Sequence, residues 1–219
     1  MEKEKVISIT KKGRTMNKVL KGLVAVAAAA AMAVTGFAGA STAMAAGNTD
    51  ITISDATEGD QFSAYKLLNL TTSKNADNTT NYSYTVNDKY TNVLKQAIDD
   101  LNGDTAAPTD NAAILDYINK NVKGKSTADA AQGQVTARAF AEKVREKIAA
   151  ANETLAADKT ASKTETQDAV FFGADQGYYL IVQTASKTEN TNSTKSQVIL
   201  DTHGEDAVEL HVKKDTVSL

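Results

Sequence analysis

Cysteine and tryptophan are absent from the 219 residues. Their absence excludes disulfides, thiolate nucleophiles, iron–sulfur clusters and cysteine-based zinc sites. The two histidines, His203 and His211, do not stand at a metal-ligand spacing, and no calcium-loop pattern accompanies them. Proline occurs once, at Pro108, and aromatic residues make up only 5% of the chain. Positive charge is scarce beyond the first 45 residues. Removing the seven basic and two acidic residues found there (Lys3, Lys5, Lys11, Lys12, Arg14, Lys18 and Lys21; Glu2 and Glu4) from totals of 24 and 27 leaves 17 against 25, a charge of −8. A field of that sign repels phosphate backbones, and no basic stripe interleaved with aromatics offsets it, which argues against a nucleic-acid partner. After residue 45 no run is apolar enough to span a bilayer.

What is present begins with an export signal. Lys18 and Lys21 form a positive region ahead of the apolar run Leu23 to Val34, which ends near Gly36. Ala43-Met44-Ala45 then supplies small residues at the −3 and −1 positions, so cleavage is expected between Ala45 and Ala46. The apolar run is shorter than the ~20 residues of a membrane span, and Met16 offers a second start that would give a signal of more ordinary length. The expected division is therefore a signal peptide over 1–45 and one exported domain over 46–219, a stretch that must fold without oxidative help.

Within that domain Ile51 and Ile53 alternate, Glu58-Gly59-Asp60 makes a turn, and Phe62, Tyr65, Leu67 and Leu68 continue a strand pattern. The stretch Asn69 to Asn81, rich in Thr, Asn and Ser, reads as a surface loop before a short strand Tyr82 to Val86. Helical spacing follows. Val93, Leu94, Ala97, Ile98 and Leu101 share a stripe that Gly103 stops; Asp110 caps a second helix with Ile114, Leu115, Ile118 and Val122 inside, closed by Gly124. A third runs from about Gln134 to about Leu155 on Phe140, Val144 and Ile148, with Glu142, Arg145, Glu146 and Lys147 on a solvated face. Strands return as an expected hairpin, Val170 to Phe172 and Tyr178 to Gln183 around the turn Gly173 to Gly177. Gln197 to Leu200 and Ala207 to Val212 follow, separated by the turn His203 to Asp206. The fold class expected is α+β, mainly β, with β-sandwich-like strands (about 51–86 and 169–213) flanking an inserted three-helix block (about 91–157). Ile53, Phe62, Tyr65, Val170, Phe172, Leu180, Val182 and Ile199 are its expected sheet-borne core, covered in part by the helix that bears Phe140, Val144 and Ile148.

Catalytic patterns do not emerge. Gly124-Lys125-Ser126 resembles the end of a phosphate-binding loop, but the motif needs a glycine where Asn119 stands. His203 among Asp201, Glu205 and Asp206 has the composition of a hairpin turn. The nucleophile elbow of serine hydrolases is missing, and Asp99 and Asp100, adjacent on a helix, point in different directions and make no glycosidase pair. No catalytic residue, no metal site and no cofactor are expected, and the chain is not expected to be an enzyme.

Three blocks together resemble the N-terminal domain of a Gram-positive, sortase-assembled backbone pilin. Gln61-Phe62-Ser63-Ala64-Tyr65-Lys66-Leu67-Leu68 is similar to the family's opening strand, Gly177-Tyr178-Tyr179-Leu180-Ile181 to its G-Y-Y-L-I strand, and Val208 to Asp215 to the segment carrying its V-x-V-Y-P-K-N motif. In that last block His211 stands at the Tyr position and Val212 at the Pro position, with Lys213 at the Lys and Lys214 at the Asn. The resemblance implies a structural subunit of a cell-surface fibre whose partners are other pilin subunits and a pilin-specific sortase. It places the intermolecular isopeptide bond at Lys213, with Lys214 as runner-up. It further implies continuation into Ig-like domains and an L-P-x-T-G signal, so that 46–219 would be the opening domain of a longer pilin. The alternative is a secreted adhesin or binding module for a host surface protein or glycan, with Phe171, Phe172, Tyr178 and Tyr179 lining its site.

Overall fold

The computed structural model describes residues 44–74, 76–103, 106–122, 135–151, 155–186 and 196–212. Among these residues nine strands and three α-helices follow in the order β1 (Met44–Ala45), β2 (Asn48–Ser54), β3 (Gln61–Lys74), β4 (Thr80–Val86), α1 (Thr91–Asn102), α2 (Asn111–Asn121), α3 (Ala137–Ala151), β5 (Lys159–Ser162), β6 (Ala169–Asp175), β7 (Gly177–Ala185), β8 (Gln197–Asp201) and β9 (Ala207–His211), with a 3-10 turn at Asp88–Tyr90 before α1. The architecture is α+β and mainly β, with strands on both sides of the helical block.

The larger sheet is built on β3. Its first half pairs with β7 and β5, its second half with β4 and β1, and β7 carries β8 on its far side. The smaller sheet has the order β6-β2-β9, with β6 antiparallel and β9 parallel to β2. Helix α3 packs on β7 and β8 and α2 on β4, while the smaller sheet meets the larger where β6 approaches β5 and, to a lesser extent, β3. β7 is consequently buried from Gly177 to Gln183 without alternation, the mark of a strand covered on both faces. Its first residue must be glycine for a steric reason: a Cβ there would stand 2.6 Å from Leu68 O.

The helices form where their apolar stripes require. Val93, Leu94, Ala97 and Ile98 are buried on α1, which ends at Gly103 with φ +60°. Asp110 accepts the Ala113 N–H at 2.8 Å to start α2, and Thr136 Oγ1 accepts the Ala139 N–H at 3.1 Å to start α3. That cap sets the first helical residue at Ala137, later than Gln134. The opposite face of α3 is not wholly solvated, because Lys147 reaches Asp100 on α1 at 2.9 Å. The expected stop of α2 at Gly124 lies outside the described residues.

Several expectations are corrected. The stretch expected as a loop from Asn69 to Asn81 is mostly sheet, since Leu68 to Lys74 pairs residue for residue with Thr80 to Val86. Its threonines are β-branched and suit a half-exposed hairpin. The expected hairpin of Val170 to Phe172 with Tyr178 to Gln183 does not form: β6 pairs with β2 and β7 with β3 and β8, so the chain changes sheets at Gln176. Strand β5, against the start of β3, was not foreseen. Of the expected core, Ile53, Phe62, Leu180, Val182, Ile199, Phe140, Val144 and Ile148 are buried. Tyr65 and Val170 are only partly buried, and Phe172 is 71% exposed while Phe171 is 1% exposed. The register explains the inversion, because Ile51 and Ile53 lie opposite Phe171 and Ala169 and fix that parity as the inner one.

Candidate functional site

The segment that resembles the lysine motif leaves the domain along β9. This strand is the edge of the smaller sheet, and its register runs from Asp50 opposite Ala207 to Ser54 opposite His211. Past the strand, the Val212 N–H is donated to Ser54 O at 3.0 Å, so pairing continues up to the residue before Lys213. The last turn of sequence is clasped by polar groups. His211 Nδ1 is 2.7 Å from Asp55 Oδ2, its Nε2 is 3.8 Å from Glu209 Oε1, and Ser54 Oγ donates to the same Glu209 oxygen. Asp55 reaches the ring from a left-handed backbone conformation, φ 62°, which a short polar side chain tolerates. Lys213 and Lys214 themselves lie outside the described residues.

Every lysine amine among the described residues has a partner within the domain. Lys66 Nζ is 2.6 Å from Asp175 Oδ2, Lys89 is 2.9 Å from Asp158 Oδ1, and Lys163 is 3.1 Å from Asp168 Oδ1. Lys143 and Lys147 share Asp100, at 3.9 and 2.9 Å, and Lys120 pairs with Asp116. Lys74 is bound to Thr80 Oγ1, Lys95 to Thr109 O and Lys159 to Phe172 O, at 2.6, 2.6 and 2.9 Å. An amine held as a charged donor has no lone pair to offer an acyl group.

The residues of the expected cleavage are placed too. Met44 and Ala45 lie opposite Thr72 and Thr71 as β1, and Ala46 is buried.

The other sequence candidates are brought to structural rather than chemical positions. Asp201 accepts the Tyr84 hydroxyl and, at 2.9 Å, the His203 N–H, while the His203 ring meets Tyr82 edge-on with centroids 4.0 Å apart. Burial raises the Asp201 carboxyl above the ordinary range against the opposing pull of those two donors. Among the described residues no group of three or more His, Asp or Glu side chains is arranged to hold a metal ion. Asp100 turns to the α3 lysines, which lower its pKa. Gly124-Lys125-Ser126 lies outside the described residues. The aromatic set of the adhesin alternative is dispersed: Phe171, Tyr178 and Tyr179 are buried, and only Phe172 is exposed.

Sequence reasoning missed Asp158, which joins three elements. Its Oδ2 accepts the Lys66 N–H at 2.7 Å and the Tyr90 hydroxyl at 2.6 Å, and its Oδ1 faces Lys89. Nothing local in the sequence marks it, because its partners lie 68 to 92 residues away.

No family model matches the chain, and no curated protein matches it either. Among solved structures it is similar to the pilus backbone RrgB from Streptococcus pneumoniae, at 16% identity and a TM-score of 0.27 over 77% of this chain and 41% of that one. The full-length RrgB pilus protein from the same organism gives 16% identity and a TM-score of 0.26 over 79% of this chain and 30% of that one. The chain thus spans less than half the length of either. Overlaps of this size are too slight to transmit a function. Among the described residues no helix is long and apolar enough to cross a membrane.

Proposed function

We propose that residues 46–219 form the N-terminal domain of a structural subunit of a Gram-positive surface pilus, exported by a signal peptide and joined to its neighbours by a pilin-specific sortase through Lys213. One observation carries the reading. The described lysine amines are all engaged inside the domain, whereas the pairing of β9 with β2 continues to Val212 and the next residue in sequence is Lys213. Two of the three sequence blocks that resemble pilins also support it, since Phe62 to Lys66 and Tyr179 to Gln183 are neighbouring strands at the centre of the larger sheet.

The chemistry needs an amine and an activated acyl group. The sortase holds a neighbouring subunit as a thioester; the neutral Lys213 ε-amine attacks its carbonyl, the C–N bond forms, the C–S bond breaks, and the departing thiolate takes up the proton the amine loses. The domain's part is to hold the described lysine amines in contacts of its own and to anchor the strand that precedes the nucleophile. A secreted adhesin is the rival, and the burial of three of its four aromatics weighs against it.

Co-expression of the full-length parent with its sortase tests the reading. Lys213→Ala should abolish the ladder of high-mass polymers and Lys214→Ala should largely keep it. Lys213→Arg should fail as well, because a guanidinium stays protonated. An unchanged ladder in Lys213→Ala would sink the assignment, and loss in Lys214→Ala alone would move it to that neighbour.

A further inference from the structure

The strand that leads to Lys213 is held on one side only. Among the described residues β9 pairs with β2 and with no strand beyond it, and the pairing is parallel, the slightly less stable kind. Leu210 is buried and Val208 and Val212 pack partly against the core, which turns Glu209 and His211 to the outer face. An edge strand with so few anchors frays from its end. Here that end is closed by side chains from both strands. Ser54 Oγ donates to Glu209 Oε1, His211 Nδ1 donates to Asp55 Oδ2 at 2.7 Å, and His211 Nε2 stands 3.8 Å from the Glu209 oxygen that Ser54 binds. Together with the Val212 N–H on Ser54 O, they make a closed ring of contacts around the last pair of the ladder, Ser54 opposite His211.

Asp55 takes its place in that ring from a left-handed backbone, φ 62°, where most side chains are strained and Asp, Asn and Gly are tolerated. A carboxylate only accepts, so the contact fixes the imidazole proton on Nδ1. The Asp55 and Glu209 side chains are 62% and 56% exposed, and contacts that exposed add little to the stability of a whole domain. Their effect falls instead on the local opening of the strand end, where small energies decide the population. We propose that Asp55 and Glu209, acting through His211, are positioning residues for the joining reaction at Lys213: they keep β9 paired to its last residue, and the sortase complex takes the amine from that paired end. The proposal rests on the assignment of joining to Lys213. The clasp has no part in making or breaking bonds, in which the amine still displaces the thiolate. It sets the fraction of domains whose strand end is ready to dock, and an acceptor that is ready only part of the time binds more weakly by that fraction. Loss of the clasp should therefore raise the KM for the domain as acceptor and leave kcat alone.

Three variants of the 219-residue chain separate the acceptor at position 55 from the backbone there. Asp55→Gly suits the left-handed conformation but removes the acceptor, Asp55→Asn suits it and keeps an oxygen for the Nδ1–H, and His211→Ala removes both contacts of the ring. Amide hydrogen exchange followed by NMR reads the clasp. The Val212 amide should exchange about three- to fivefold faster in Asp55→Gly and His211→Ala and at the wild-type rate in Asp55→Asn, with little change of melting temperature in any of them. Joining of the same chains to a labelled L-P-x-T-G peptide by the pilin-specific sortase reads the positioning. The KM for the chain should rise about twofold in Asp55→Gly and His211→Ala at constant kcat, and Asp55→Asn should restore it. Unchanged Val212 exchange in Asp55→Gly would overturn the clasp. Faster exchange with an unchanged KM would overturn the positioning role and leave Lys213 as the nucleophile. A wild-type chain that gives no product on Lys213 would overturn the assignment of joining to that lysine, and the positioning role with it.

Discussion

At Asp201 a carboxylate is held among tyrosines at the end of β8, accepting the Tyr84 hydroxyl and the His203 N–H. Burial is the larger effect and raises its pKa above the ordinary 3.8, the hydrogen bonds from Tyr84 and His203 notwithstanding. For an acid whose folded-state value is raised, the native state binds the proton more tightly than the unfolded chain does. Its contribution to stability is complete below the ordinary value and is lost as pH rises through the folded one. Asp201→Asn preserves an acceptor for both donors and removes the titration. The melting temperature of the wild type minus that of Asp201→Asn should therefore be greatest near pH 3 to 4 and fall as pH rises. A difference that is flat, or grows with pH, would contradict the assignment. The sequence marked Asp201 as part of a polar turn, which is correct for His203 to Asp206, but its main partner lies 117 residues away and only the fold brings Tyr84 to it.

At the scale of elements, β6 shows what a local pattern can and cannot decide. Phe171 and Phe172 are equally apolar, so alternation within the strand is satisfied with either one inside. The choice is made by β2, whose Ile51 and Ile53 face the core and impose their parity across the pairing. Phe171→Ala should accordingly cost about 3–5 kcal/mol in urea unfolding. Phe172→Ala, at a side chain 71% exposed, should stay within about 0.5 kcal/mol of the wild type. The reverse order would mean that the register is shifted by one. The helices were legible because a 3.6-residue period and caps such as Asp110 are contained in a few residues of sequence. The second half of β3 was not, because Asn, Thr and Ser serve a half-exposed hairpin as well as a loop, and the residues that distinguish the two cases lie on the partner strand. The change of sheet at Gln176 was hidden for the same reason, since a short polar turn joins a hairpin and a sheet corner alike.

At the scale of the whole molecule, buried tyrosines tie together layers that the sequence presents far apart. Tyr90 links the entry to the helical block with Asp158 before β5, Tyr84 links β4 with β8, and Tyr179 donates to Asp175 O across the corner between the sheets. Tyr178, 3% exposed, lies opposite Asp201 in the pairing of β7 with β8. Near the candidate site the course of the last strand was legible, while the clasp of Asp55 and Glu209 on His211 was not, because it needs β2 and β9 side by side. The same long-range packing sets the alkaline limit of the domain. Burial pushes the phenols of Tyr84, Tyr90, Tyr178 and Tyr179 well above their ordinary value of 10.0, with nearby carboxylates adding to the shift. A phenol raised in the folded state supports folding fully below its ordinary value, and that support is lost as pH rises through the folded one. These four should therefore ionise only as the domain unfolds. In an alkaline titration, most of the phenolate absorbance should appear together with the loss of far-ultraviolet circular dichroism, in one transition. Tyr84→Phe should keep the apolar packing while removing one of the raised phenols and its hydrogen bond to Asp201, so that variant should lose one phenolate from the cooperative step. If all the phenols ionise while the dichroism stays native, the tyrosines are not sealed between the layers and the packing described here is wrong.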